Sequence, residues 1–411
     1  MLGYLDTPWP AEDGGPARLQ VPYGVGLGLQ PGEQLAATAV TRVMSTMTVL
    51  GAPGEVYLLT HSAIRARVGL PTSSRVSLID PVSLTPRAQS PRLPGGPMWP
   101  GGMAVHANGD LYVVYGRWAH RLGRDCSLKE SVKLPIDLPY NSFVVLDNGL
   151  IVTKNISESR PARLSVLRPD PLSFACADIE CPEPAIARLS AVGNTVYVVG
   201  VRSIFRFDWD EATRTLVRDE SWRFDYATGT AQTYGWDVVL GLGNAWFMDN
   251  GKHRYQRSMI GRGVSQTPNR LIRVDLADCH DVETVEVSGI AGGTITNPPL
   301  VDEARRIVVG YDSANRVLRA WVFDGVLKPL WRKDGIGAAS HMICLPDTGE
   351  IVTNDFGRGG EHVVVLDIEN GEEKGRARIG GLTQGVVFPS PGWSRDIYWS
   401  AMSRFGRVHV G

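Results

Sequence analysis

Residues 351–371 read IVTNDFGRGGEHVVVLDIENG. Ile351 and Val352 open a β-branched run that turns polar at Thr353, Asn354 and Asp355, crosses a Gly-rich turn and resumes as an apolar run ending at Asp367. β-Branched residues favour strands, and Gly takes the positive φ that a hairpin turn needs, so the stretch reads as strand, turn, strand. An amide and a carboxylate at the end of a core strand then call for a reason.

The same short strand recurs along the chain. EVYLLTHS (55–62), DLYVVYGR (110–117), LIVTKN (150–155), TVYVVGVR (195–202), AWFMDNGK (245–252), RIVVGYDS (306–313), EIVTNDFG (350–357) and DIYWSAMS (396–403) are its eight copies. An apolar strand precedes each across a turn, often an Asn-Gly or a relative of it, and a further strand follows each, as in RLSVLRP (163–169) and HVVVLDI (362–368). A more polar outer strand completes the unit. The copies begin roughly 40 to 60 residues apart, which is blade length.

The fold predicted is therefore all-β: a single β-propeller over 1–411 with eight four-stranded blades, seven being the alternative count. The last unit reaches the end of the chain without its outer strand. ARLQVPYG (17–24) and AATAVTRV (36–43) are the two N-terminal candidates to supply it and close the ring. Residues 1–16 read as an extended segment and 248–269 as a long polar loop over the channel mouth.

Composition narrows the function. The 411 residues carry 42 Lys and Arg against 43 Asp and Glu, a net charge of −1, which predicts neither a nucleic-acid nor a membrane-surface partner. The N-terminus has no basic and apolar leader pattern and no stretch has the length of a membrane span, so a cytoplasmic protein is expected. Of the five cysteines only Cys176 and Cys181 are close, a C-x4-C spacing with no second pair, which predicts free thiols. The charge balance does not indicate an oligomeric state.

VVVLDIENGEEKGRARIGG (363–381) resembles the outer half of a quinoprotein-type propeller repeat. EIVTNDFGRGGEHVVVLD (350–367) is similar to the strand pair of gluconolactonase-like and strictosidine-synthase-like propellers. These resemblances cover one or two blades. They imply a propeller and, from the gluconolactonase-like side, a lactone or ester substrate.

In a propeller the ends of the second strands and the starts of the innermost strands converge on one channel mouth. Asp249, Asp312 and Asp355 share a register in three consecutive blades, and with Asn297 and Asn354 they form a hard-oxygen set suited to calcium or magnesium. Each aspartate taken alone reads equally well as a turn cap. His61 and His341 fall at the mouth as candidate proton carriers and Lys154 as a cation; with Asp249 and Asp355 they are the expected catalytic groups. Trp99, Tyr140, Asn141, Asn155, Arg188, Tyr234, Trp236, His253 and Gln384 complete a mouth of polar groups among aromatics, suited to a small-molecule substrate. Metal-assisted hydrolysis of a lactone or ester, or a related lyase or isomerase step, is the leading expectation. A non-catalytic binding propeller and a quinoprotein-like oxidoreductase are the alternatives.

Overall fold

The computed structural model describes residues 2–96, 101–229 and 231–411. Eight antiparallel sheets of four strands, two of them with a short fifth strand, make the eight blades of a propeller. We letter the strands of each blade A to D from the channel outward. In blade seven they are Ile343–Leu345, Glu350–Gly357, Gly360–Asp367 and Glu373–Gly380. Seven blades follow this order without interruption. Blade eight takes its outer strand from the other end of the chain: Leu35–Thr41 pairs with Arg404–Val410, from Leu35 opposite Val410 to Thr41 opposite Arg404. Of the two candidate segments, 36–43 closes the ring. Among the described residues no helix is long and apolar enough to cross a membrane.

The B strands ignore the polar–apolar alternation of a half-exposed sheet because both faces of a blade are covered. Ile351 packs in the core shared with blade six, among Val309 and Trp321, whereas its neighbour Val352 packs in the core shared with blade eight, among Ile397 and Trp399. Alternate residues of one strand thus belong to two inter-blade cores. At about 1.5–3 kcal/mol for each fully buried aliphatic side chain, the stacking of blades supplies the main favourable term of the fold.

The first 20 residues do something the sequence pattern does not announce. They lie against the free inner edges of the A strands and bond them one after another. Leu5 N–H donates to Val105 O (3.0 Å), Val105 N–H to Pro10 O (2.8 Å) and Leu50 N–H to Trp9 O (2.8 Å). Farther along, Ala191 N–H donates to Pro16 O (2.8 Å), Leu240 N–H to Ala17 O (2.9 Å) and Cys344 N–H to Gln20 O (2.8 Å). Blades one, two, four, five and seven are therefore joined at the axis by one segment, and residues 17–24, the other candidate for ring closure, are instead part of this plug. Trp9, fully buried, anchors it in the core shared by blades seven, eight and one.

Where blade seven meets blade eight, Glu361 of strand C is fully buried. Its Oε1 accepts from Asn354 Nδ2 (2.7 Å) and from Trp399 Nε1 (3.1 Å) of blade eight, while Oε2 has no partner among the described residues. Burial pushes its carboxyl up to about 8, so the group is protonated at neutral pH.

Two outcomes follow from these packings. Trp9→Ala should lower unfolding free energy by about 3–5 kcal/mol in urea titrations, against a near-neutral result if the plug were a loose tail. Glu361→Gln keeps the shape and removes the proton equilibrium. The folded chain holds the Glu361 proton up to about pH 8 and the unfolded chain only to about 4.5, so wild-type stability falls relative to the variant as pH rises through that window. The slope is at most about 1.4 kcal/mol per pH unit, read from denaturation midpoints; parallel curves would show the carboxyl is ionised throughout.

Candidate active site at the channel throat

Three residues of the plug sit at positive φ without being Gly: Asp13 (53°), Arg18 (56°) and Gln20 (61°). Such backbone persists only where its surroundings over-determine it. Here the side chains do so. Arg18 Nη1 donates to Asp13 Oδ2 (2.8 Å) and Glu12 Oε2 (3.2 Å), its Nη2 to Ser142 Oγ (3.0 Å) and its Nε to Leu189 O (2.8 Å), all buried. Gln20 bridges blades six and seven, donating to Pro299 O (2.7 Å) and accepting from Met342 N–H (2.9 Å).

Around this knot the connections that lead into the A strands bring together His341 of blade seven, Arg188 of blade four and Asp237 of blade five. Arg188 donates to Asp237 through its backbone N–H (2.6 Å) and Nη1 (2.8 Å), and its guanidinium lies 4.5 Å from the centre of the Phe388 ring, reaching across the channel to blade eight. His341 lies against the same ring, 4.2 Å between centroids, with its Nδ1 2.7 Å from Asp13 Oδ1, an ion-pair distance without the alignment of a hydrogen bond. Burial pushes the imidazole below its ordinary pKa despite the opposing pull of Asp13. Burial would raise the Asp13 carboxyl, but His341 and Arg18 together hold it below the usual range. The pair is thus a neutral imidazole beside a carboxylate.

Buried polar atoms near this ring are left without hydrogen-bond partners among the described residues: His341 Nε2, Asn297 Oδ1, Thr46 Oγ1, Arg188 Nε, which lies 3.6 Å from Glu12 Oε2, and the ion-paired His341 Nδ1 and Asp13 Oδ1. Asn297 is held by its other end, donating to Ala339 O (2.6 Å) and Val386 O (3.3 Å), and Thr46 accepts Phe388 N–H through its carbonyl (3.2 Å). Blades six, seven, eight and one each turn a residue towards the Phe388 region. Unpaired buried polar groups are costly, so such a cluster calls for a polar partner, whether ordered water or a bound molecule.

The aspartate register has a different meaning from the one expected. Asp355 accepts from Gly337 N–H (3.0 Å) and is paired with Arg316 (2.9 Å) and Arg376 (3.4 Å). Asp312 accepts from Ser288 Oγ (2.5 Å), Thr294 N–H (3.2 Å) and Asn315 Nδ2 (2.8 Å). Asp249 accepts from Arg270 N–H (2.7 Å) and Nε (2.6 Å), and its carboxyl is pushed up by burial against the pull of Arg270. Asn354 Oδ1 accepts from Ala339 N–H (2.9 Å) and Ser340 N–H (3.0 Å), fixing the turn that carries His341. These groups tie strand ends to neighbouring connections. Among the described residues no group of three or more His, Cys, Asp and Glu side chains is placed to hold a metal ion, and of the residues expected as ligands Asp249, Asp312, Asn354 and Asp355 have their oxygens engaged by neighbouring N–H groups, hydroxyls and arginines, while Asn297 Oδ1 has no hydrogen-bond partner. As catalytic groups Asp249 and Asp355 are likewise committed to their arginines.

The remaining predicted residues fall in three places. Lys154 is buried between blades three and four, donating to Ala185 O (3.1 Å) and Asn155 O (3.3 Å), and burial brings its amine down to about 8. His61 stacks on Tyr115 (5.3 Å) and burial lowers it to about 4. Tyr140 is buried in strand A of blade three opposite Asn155, whose Oδ1 accepts from Arg163 N–H (2.8 Å). Tyr234, Trp236 and His253 form a row at ring distances of 6.3 and 6.5 Å, His253 bonding Gly251 O through Nδ1 (2.9 Å). Trp99 and the side chain of Asn141 lie outside the described residues.

Gln384 of blade eight anchors a long connection from blade five. The connection between strands B and C of blade five, 249–269, reaches blade eight, where Gln384 Oε1 accepts from Met259 N–H (2.7 Å), Gln384 N–H donates to Arg257 O (2.8 Å) and Gln384 O accepts from Tyr255 Oη (2.8 Å). Gln384 Nε2 also donates to Gly337 O (2.5 Å), on the connection that carries His341. Sequence reasoning missed Glu12, Asp13 and Arg18, which stand outside the repeat; the only hint is an acidic pair and an arginine within a Gly- and Pro-rich stretch.

No protein-family model matches the chain, and no curated protein matches it. Solved structures do. The quinohemoprotein alcohol dehydrogenase of Comamonas testosteroni is similar with a TM-score of 0.63 at 10% identity, over 97% of this chain and 80% of that one. A europium-containing methanol dehydrogenase gives 0.61 at 9%, over 95% and 88%. Chaetomium thermophilum Sqt1, solved bound to the N-terminus of the ribosomal protein L10, gives 0.54 at 10%, over 91% and 98%. At these identities the likeness is one of fold, shared by two dehydrogenases and a protein-binding propeller; the chain is an eight-bladed β-propeller of the architecture that quinoproteins use.

Proposed function

We propose that the chain is an enzyme that binds a small oxygenated organic molecule in the throat and acts on it by general-base catalysis. The observation that carries this reading is His341: Asp13 stands at Nδ1, favouring the tautomer that leaves Nε2 as the base, and Nε2 has no partner among the described residues. Arg188 Nε is a donor for negative charge developing on a carbonyl oxygen, and Asn297 Oδ1 an acceptor for a substrate hydroxyl. Such a set suits water attack on an ester or lactone, or removal of a proton beside a carbonyl as in a lyase. His341 is almost wholly buried, so the lid tethered at Gln384 opens to admit substrate. The reading routes no step through calcium or magnesium.

A second reading keeps the ring as an oxidoreductase that holds a planar cofactor. The stacked Tyr234 and Trp236 support it by offering a flat aromatic face. A visible absorption band in the purified protein would favour this reading.

Screening lactones, esters and hydroxy acids tests the first. His341→Ala should lower kcat/KM on an accepted compound by about 10²–10⁴, with the fold retained by circular dichroism. Because the lowered imidazole is neutral at pH 7, wild-type kcat/KM should stay level across neutrality and fall only on acidification. Unchanged turnover in His341→Ala would refute the base.

A further inference from the structure

Building on the throat reading, we infer that the substrate carries a carboxylate or phosphate group and that the lid of blade five recognises that charge. The lid is a hairpin, closed by the bridge between His253 and Gly263 and by Arg254 N–H donating to Arg262 O (3.1 Å). Lys252, Arg254, Arg257 and Arg262 are exposed on it, and no acidic residue occurs between Gly251 and Asn269. Arg254, Arg257 and Arg262 have no ion-pair partner among the described residues. Lys252 stands 4.0 Å from Glu158 and Arg257 Nε donates to Leu382 O (3.3 Å), while the exposed Asp137 is paired with Arg117 (2.7 Å).

Elsewhere the surface mixes both signs: Asp225 and Asp334 are exposed at strand ends on the lid face, and Arg124, Arg214 and Arg306 are exposed on turns of the other face, so the acid-free basic run is particular to the lid. The lid also sits where such charge can be used: Arg257 bonds blade eight through its own carbonyl to Gln384 N–H (2.8 Å), on the connection leading to Phe388, the ring that both His341 and Arg188 touch. Arg254, Arg257 and Arg262, three like charges on one short hairpin, repel one another, and an anion held beneath them relieves that repulsion while keeping the lid shut. Arg188 Nε, without a hydrogen-bond partner and 3.6 Å from Glu12, adds a further cationic donor in the throat.

Calorimetric titration of the full chain with inorganic phosphate, citrate and glutarate, against glycerol and dimethyl glutarate as neutral probes, tests this. At least one anion should bind about tenfold more tightly than any neutral probe, and its affinity should fall about tenfold between about 0.02 and 0.5 M salt. The triple variant Arg254→Gln, Arg257→Gln, Arg262→Gln should lose that binding while keeping the melting temperature of the wild type. Equal binding of neutral probes, no binding of any anion, or full binding by the triple variant would overturn the inference. So would capture of a single-stranded oligonucleotide more tightly than of the small anions, since the charge would then serve a polymer. His341→Ala separates the two proposals: it should abolish turnover and leave anion binding intact, whereas unchanged turnover would defeat the throat reading alone.

Discussion

The structure depends on one buried cation. Arg18 reaches into the axis of the ring and is held by Glu12, Asp13, Ser142 and a backbone carbonyl of blade four. Taking a guanidinium out of water is expensive, and only complete hydrogen bonding with opposite charge nearby makes it tolerable. That requirement explains the backbone around it. Asp13 and Arg18 adopt left-handed conformations that cost about 1–3 kcal/mol each, which the bonds between the guanidinium and both carboxylates offset. The plug is therefore specified by polar geometry, while the blades it joins are specified by apolar packing.

Much of the fold was legible in the sequence because each blade repeats the same physical problem. A B strand covered by neighbouring blades on both faces must be apolar at successive positions, as Ile351 and Val352 are, and a tight turn must precede it; eight copies of that demand leave eight copies of the pattern. The outer strand at Leu35–Thr41 was harder to choose, since it is half exposed and its partner lies at the far end of the chain. The candidate site was legible only in part. His341, Arg188 and Asn297 were recognised by their position at the starts of the innermost strands, but the group that orients His341 belongs to a segment with no repeat to betray it.

The aspartates show why register alone does not reveal chemistry. Asp249, Asp312 and Asp355 do share a role across three blades, and it is to hold neighbouring strands and connections through backbone N–H groups. A carboxylate that accepts N–H bonds and one that binds a cation occupy the same place in a sequence, because both need a short acidic side chain at a strand end. At Asp249 and Asp355 arginine partners decide between them, and for Asp355 these come from elsewhere: Arg316 from the turn before strand C of blade six and Arg376 from the outer strand of blade seven. Distance along the chain conceals that neutralisation.

The same side chains that build the ring also prepare the throat, and this constrains how the site operates. Asn354 fixes the turn before His341 with its oxygen while its nitrogen holds Glu361, and Gln384 binds the lid with one end of its amide and that same turn region with the other. On the proposed reading, opening of the 249–269 connection breaks bonds made by Gln384 and leaves those of Asn354 to the His341 turn in place. Of the hairpin glycines, Gly261 sits at a φ of 63° in open space, whereas Gly251 and Gly263 pack so closely on Trp236 and Gly292 that a Cβ would clash. A rigid base beneath a hinged cover is what a buried imidazole needs if it is to meet substrate yet exclude water during the reaction.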